Sequence, residues 1–314
     1  MTARPNAPES PLGVRLLLLD AIDYAGLFPP AQLDMPGAVT EYASYVESAD
    51  SWALGTFVVP APRLDELGVT ARELLDAEGP SSRLPNWWRL SAVFGADIGA
   101  DLERVHAFHA EYSSDRDGWW GQVQGIELRA SSVDAIEAAL RIVPETFDRF
   151  VEIPIAEDPA PLVRAIGRRN AFAKVRTGGT VADAFPDSQH LARFLACCVA
   201  EGVPFKATAG LHHPIRAEYA LTYAPDSARG SMYGFLNVYL ATAFLCAGES
   251  EAVARAVLEE RGARAFQFND AGVEWRGHRV STEQITRSKQ FAMRSFGSCS
   301  FREPLDDLSA LGLL

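Results

Sequence analysis

Short apolar runs alternate with amphipathic stretches along almost the whole chain, and this alternation restricts the fold more than any other feature. The strand candidates lie at 14–21 (VRLLLLDA), 52–60, 87–95, 120–129, 149–155, 171–179, 204–210 and 263–270 (ARAFQFND). They are rich in β-branched and aromatic residues and mostly bounded by Gly or Pro. Between them, apolar residues recur near every 3.6 positions at 36–48, 97–112, 131–143, 158–169, 187–201, 230–247 and 281–296, with a weaker helix at 68–77. Ser132 and Asp187 stand where helix caps belong. Eight strands in βα alternation imply parallel pairing through right-handed crossovers, and a closed α/β (β/α)8 TIM barrel satisfies that pattern. A doubly wound open sheet is the alternative topology.

The expected organisation is a polar, Pro-rich disordered leader over 1–12 and a single barrel domain over 13–314, ending in a C-terminal tail. The connection from strand seven to strand eight, at 211–262, is long. It reads as a helical insertion holding MYGFLNVYLATAFLCAG and SEAVARAVLEERG. A connection of that length serves as a lid, an interface or a substrate wall.

Charge narrows the function classes. The formal net charge is −12, which argues against nucleic acid and anionic membrane as partners. No apolar run reaches the roughly 18 residues of a spanning helix. The four cysteines show no CxxC spacing, so neither a zinc knuckle nor a disulfide framework is indicated, and a cytoplasmic location is expected. The pairs Trp87–Trp88 and Trp119–Trp120 read as packing or as a homo-oligomer contact.

Lysine use is sparse: three residues against 26 arginines. Two of the three, Lys174 in AFAKVRTGG and Lys206 in PFKATAGLHH, stand at matching depths in strands six and seven. Arginine keeps its proton, whereas a buried lysine can lose it and attack a carbonyl. In a barrel the active site gathers at the C-terminal strand ends. Strand one contributes Asp20, with Asp23 and Tyr24 just beyond. Strand four contributes Glu127 and Arg129, strand five Glu152, strand six Lys174 and Arg176, strand seven Lys206 and Thr208, and strand eight Asn269 and Asp270. Charges in apolar strands are costly unless paired or used. A ring of salt bridges is one account. A catalytic pocket is the other, with one lysine as imine-forming nucleophile, the second lowering its pKa, and Glu127, Glu152 or Asp20 moving protons. A carboxylate beside the nucleophile would oppose that activation.

The segments KVRTGG and KATAGLHHPIR, 32 residues apart, resemble the sixth- and seventh-strand motifs of deoxyribose-phosphate aldolase, a class I aldolase. The resemblance implies that Lys174 forms the Schiff base and Lys206 assists it, with Thr177 and Gly178 matching the TG after the first lysine. Ala207 and Gly210 match parts of the second motif. LHHP replaces the family's Gly-Ile-Arg turn, strand eight lacks a Gly-Ser phosphate loop, and the strand-three acid has no clear counterpart. The implied substrate is therefore a small, non-phosphorylated carbonyl compound.

The expected function is an aldolase or lyase needing no cofactor, with Arg176 as anion anchor and Thr177, Gly178, Thr208, Asn269 and His212 around the substrate. One alternative is a divalent-metal-dependent barrel lyase or hydrolase in which His212 or His213 joins Glu127, Glu152 or Asp20 as ligands. Another is a non-catalytic barrel that binds or scaffolds. Cys299 has no base partner nearby in sequence and reads as part of a tail folded against the barrel.

Overall fold

The computed structural model describes residues 10–76, 87–113 and 119–314. Most of the expected leader, residues 1–9, lies outside them, as does residue 77 at the end of the weak helix. Eight parallel strands close a barrel: β1 (Ile22–Tyr24), β2 (Leu54–Pro60), β3 (Trp87–Val93), β4 (Trp120–Arg129), β5 (Asp148–Glu152), β6 (Phe172–Arg176), β7 (Phe205–Thr208) and a final strand at Met293–Ser298. The final strand closes the ring between β7 and β1. The fold is thus a (β/α)8 TIM barrel with a long insertion between its seventh and eighth strands.

Two strand expectations fail, for the first and the last strand of the barrel. The run at 14–21 forms the helix α1 (Leu12–Leu18) and not strand one. Val14, Leu17 and Leu18 are buried while Leu19 is half exposed, the i, i+3, i+4 pattern of a helix face. Short apolar runs do not by themselves separate a buried helix from a buried strand. The barrel strand begins three residues later than Leu19.

The second failure is at 263–270. Its core, β10 (Phe266–Asn269), pairs antiparallel with β11 (Gly272–Trp275), which pairs with β12 (His278–Ser281), in a small sheet outside the barrel. The true eighth strand, β13 (Met293–Ser298), falls partly in the expected helix 281–296, which stops at Phe291.

The insertion therefore runs from residue 209 to residue 292 and mixes strands with helices. It opens with the hairpin β8 (Ala217–Ala220) and β9 (Arg229–Met232), continues through α8 (Phe235–Cys246) and α9 (Glu251–Glu259), and ends with the small sheet and α10 (Thr282–Phe291). Every residue of α8 from Phe235 to Leu245 is buried, as its all-round apolar sequence requires.

The helices α2 (Met35–Glu47), α3 (Leu64–Asp76), α4 (Ile98–Tyr112), α5 (Val133–Ile142), α6 (Ala160–Gly167) and α7 (Ser188–Glu201) lie close to expectation, whereas α11 (Arg302–Ala310) forms within the expected tail. Ser132 caps α5 by accepting from the Ala135 amide at 3.2 Å, and Asp187 caps α7 by accepting from Gln189 at 2.7 Å. Among the described residues no helix is long and apolar enough to cross a membrane.

Candidate active site

Register decides what the strand ends can share. Glu152 pairs with Lys174 across β5 and β6, and Lys174 pairs with Lys206 across β6 and β7. Residues in register on parallel strands point to the same side, so all three side chains enter one space. That space is a cavity of about 630 Å³ at the C-terminal mouth of the barrel, lined by Glu127, Glu152, Lys174, Arg176, Lys206 and Thr208 among others. The hairpin β8–β9 supplies a further wall through Leu221, Tyr223 and Met232.

Six charges alternate in sign along the strand ends. Arg129 donates to Glu152 Oε1 through Nε at 3.0 Å and Nη2 at 2.5 Å. Glu152 Oε2 lies 3.0 Å from Lys174 Nζ, which lies 2.8 Å from Glu127 Oε2. Glu127 Oε1 accepts from Lys206 Nζ at 2.7 Å, and Lys206 reaches Asp23 Oδ2 at 2.7 Å. Three cations and three carboxylates make the chain neutral, which is what buried charge demands.

Neutral donors satisfy the remaining lone pairs. The Ser91 hydroxyl donates to Glu127 Oε1 at 2.8 Å. Asp23 Oδ1 accepts from the Thr56 amide at 2.8 Å and the Thr56 hydroxyl at 3.0 Å, and Asp23 Oδ2 accepts from Ser295 at 2.6 Å. Lys206 Nζ also stands 5.0 Å from the centroid of the Phe150 ring.

These contacts set the protonation states. Burial alone would push the Glu127 carboxyl up, but Lys174 and Lys206 on either side outweigh it and hold the group well below the usual carboxylate range. Glu152 behaves alike: burial raises it, and Lys174 and Arg129 bring it below its ordinary value. Burial would lower the Lys206 ammonium, yet Asp23 and Glu127 hold it well above the usual lysine range. The second lysine was expected to act on the first by like-charge repulsion. A shared carboxylate, Glu127, stands between the two amines.

Several expected site residues sit elsewhere. Asp20 lies at the opposite end of the barrel, exposed, in an ion pair with Arg89 at 2.6 Å. It precedes β1 and therefore marks that strand's N-terminal end. Asp23, inside the strand, holds the position expected for it. Asn269 belongs to the small outer sheet, where its Oδ1 accepts from the Ala271 amide in a turn.

Thr177 and Gly178 do not line the cavity. Thr177 is fully buried and donates to the Ala209 carbonyl at 2.6 Å, latching the end of β6 to the segment after β7. A Cβ on Gly178 would lie 2.3 Å from the Phe185 ring, so this glycine serves close packing. The latched residue, Ala209, has a φ of 64°, a left-handed conformation that a non-glycine residue holds only when its surroundings enforce it.

Arg176 and Thr208 do line the cavity. Arg176 Nε donates to the Gly178 carbonyl at 3.1 Å, and among the described residues no carboxylate pairs with it.

His212 also lines the cavity, away from the lysine chain. Its Nδ1 is 3.4 Å from Glu303 Oε2 and 3.7 Å from Cys299 Sγ. His213 turns to Asp307 at 2.6 Å. The histidines and the strand-end carboxylates thus serve separate clusters. Among the described residues no group of three or more His, Cys, Asp or Glu side chains is arranged to hold a metal ion.

Sequence reasoning set Asp23 just beyond strand one without giving it a role, and it left Cys299, Tyr223 and Glu303 out of the site. For Asp23 a signal existed, since it is an acid directly after an apolar run at the start of the barrel. For Cys299 none did: its partner His212 is 87 residues away. Comparison of the chain with protein-family models, curated proteins and solved structures finds no match.

Proposed function

We propose that the protein is an aldolase- or lyase-type enzyme acting on a small, non-phosphorylated carbonyl compound through a Schiff base on Lys174. The observation that carries this reading is the sharing of Glu127 by two in-register lysines at the wall of one cavity. Of the two, Lys174 is the better placed nucleophile. Both ammonium groups lie between two carboxylates, but Lys206 is 1% exposed and Lys174 8%. The resemblance of KVRTGG and KATAG to the strand motifs of deoxyribose-phosphate aldolase assigns the same roles. The acid between the lysines, however, comes from strand four and not strand three.

Lys174 must lose a proton before it attacks. Glu127 and Glu152, at 2.8 and 3.0 Å, are both within transfer distance. As the proton leaves, the carboxylate that receives it loses a neighbouring positive charge, so its basicity rises together with the amine's nucleophilicity. Attack gives a carbinolamine, and loss of water gives the iminium ion. That ion then draws the electron pair of the cleaved C–C bond toward nitrogen. Lys206 stays protonated throughout and keeps Glu127 oriented. Arg176, which pairs with no carboxylate among the described residues, anchors an anionic group of the substrate.

Borohydride reduction in the presence of a small aldehyde tests this reading. The expected outcome is a stable secondary-amine adduct on Lys174 and its complete loss, with turnover, in Lys174→Met. Lys289 is a built-in control. Burial brings its ammonium down to about 8, so on basicity alone it is a readily alkylated amine, but it does not line the cavity. An adduct on Lys289 alone, or unchanged activity in Lys174→Met, would overturn the assignment.

A further inference from the structure

On the wall of the cavity away from the lysine chain, four reactive side chains meet from three parts of the sequence. Cys299 follows β13, His212 follows β7, Tyr223 follows β8, and Glu303 belongs to α11. Cys299 Sγ lies 3.7 Å from His212 Nδ1 and 3.3 Å from the Tyr223 hydroxyl. Tyr223 also donates to Glu303 Oε2 at 3.1 Å, and Glu303 Oε2 is 3.4 Å from His212 Nδ1. Cys299 is 4% exposed, yet it lines both the main cavity and a shallower depression beside it.

We infer that Cys299 and His212 form a second reactive centre in this cavity, a thiol–imidazole pair that adds reversibly to the carbonyl carbon of a small aldehyde. Nucleophile and base lie within contact of each other, a carboxylate steadies the base, and the cavity gives access. The reactive form of the pair is thiolate and imidazolium. Sγ then bonds to the carbonyl carbon, the π pair moves to oxygen, and the imidazolium proton follows it there. The product is a thiohemiacetal. Nothing is oxidised or reduced, and the ring is left neutral.

The electrostatics agree with this assignment. Burial would push the His212 imidazolium down, but Cys299 and Glu303 raise it to about 9, so the ring holds a proton readily beside the sulfur. The other ionisable groups facing Cys299 are Tyr223, Glu303, Tyr24 of β1 and Tyr45 of α2. Burial keeps all three phenols protonated, so Glu303 is the anion that opposes a thiolate and His212 the cation that favours it.

Iodoacetamide alkylation of the intact protein at pH 7, followed by peptide mapping, tests the pair. In the unsubstituted protein Cys299 is expected to react about tenfold faster than the exposed Cys246, a thiolate enrichment of the kind that an imidazolium neighbour produces. His212→Gln is expected to slow Cys299 by a similar factor, whereas Glu303→Gln is expected to accelerate it by removing the opposing charge. Loosened packing would move both variants in the same direction, so opposite shifts mark an electrostatic pair.

Acetaldehyde at millimolar concentration is expected to protect Cys299. Cys299 reacting no faster than Cys246, parallel shifts in the two variants, or no protection by acetaldehyde would each overturn the proposal. The first and last of these need no variant to fold. Borohydride fixes imines and not thiohemiacetals, so adducts on Lys174 report separately on the lysine chemistry.

Discussion

Two acid–base pairs begin three residues apart and differ in almost every physical respect. Asp20 meets Arg89 at 2.6 Å at the N-terminal end of β1, with side chains 53% and 34% exposed. Asp23 meets Lys206 at 2.7 Å inside the barrel, with side chains 5% and 1% exposed. The first pair exchanges protein contacts for water at small cost on either side. The second has lost its water, and its charges are tolerated because each is enclosed by partners. Thr56 and Ser295 serve Asp23, and Glu127 and Asp23 serve Lys206. A charge whose loss would strand its neighbours is held by the whole site, and such a charge is also the one whose protonation the site can control.

The largest effect expected from this contrast follows Lys206→Met. The substitution keeps much of the side-chain length but leaves Glu127 and Asp23 each without one ammonium. Breaking a buried ion pair from one side costs about 3–5 kcal/mol, and chemical denaturation of the variant should register a loss of that order. Adding Asp23→Asn removes one stranded charge and should recover part of the loss. A loss below about 1 kcal/mol would mean that the two pairs are energetically alike and that the enclosure of Lys206 has no consequence.

The same contrast explains which parts of the site were legible in the sequence. Lys174, Lys206, Glu127 and Glu152 interrupt runs that are otherwise apolar, and a charge in such a run has to be enclosed by the fold. Their strands were located within a few residues, so their common direction followed from the two-residue period. Asp20 and Asp23 were confused because LLLLDA reads equally well as strand or helix. A helix there moves the true strand three residues on, which exchanges one aspartate for the other. The barrel's last strand was hidden for a different reason. MRSFGS is short and rich in small residues, and it follows a helix directly, whereas FQFN looks more strand-like and is a strand, but of an outer sheet. Thr177 and Gly178 matched a motif, yet matching residues do not reveal whether a side chain faces the cavity or latches the backbone. The cluster of His212, Cys299, Tyr223 and Glu303 depends on long-range closure, which no local pattern encodes.

Arg129→Gln probes the boundary between the two regimes. Arg129 is 71% exposed, while its partner Glu152 is 10% exposed, so this pair is half in water. Its loss should cost about 1 kcal/mol, at the upper end of what surface pairs contribute. The pH dependence has a definite sign. Glu152 is held below its ordinary value, so it stabilises the fold fully above that value, near 4.5, and loses the contribution as pH falls through the lowered one. Removing Arg129 raises the folded value toward the ordinary one. Acid unfolding followed by circular dichroism should therefore begin at higher pH in the variant. An unchanged acid transition would place Arg129 with the solvent-screened pairs and shorten the functional chain to Glu152.

Asp20→Asn should have the smallest effect of all. The backbone at Asp20 has a φ of 49°, a left-handed conformation that asparagine adopts as readily as aspartate, so the substitution introduces no new strain. Arg89 keeps a second acceptor, donating to the Leu54 carbonyl at 2.8 Å, and its exposed side remains in water. Changes of this kind fall within about 0.5 kcal/mol, and what stability the pair does contribute should fade as salt is added. Denaturation of Asp20→Asn at low and high ionic strength measures both quantities, and borohydride trapping on Lys174 should be unaffected at either. A loss of several kcal/mol, or reduced trapping, would mean that the floor of the barrel is coupled to its mouth through β1, and the contrast between the two aspartates would then describe one continuous network.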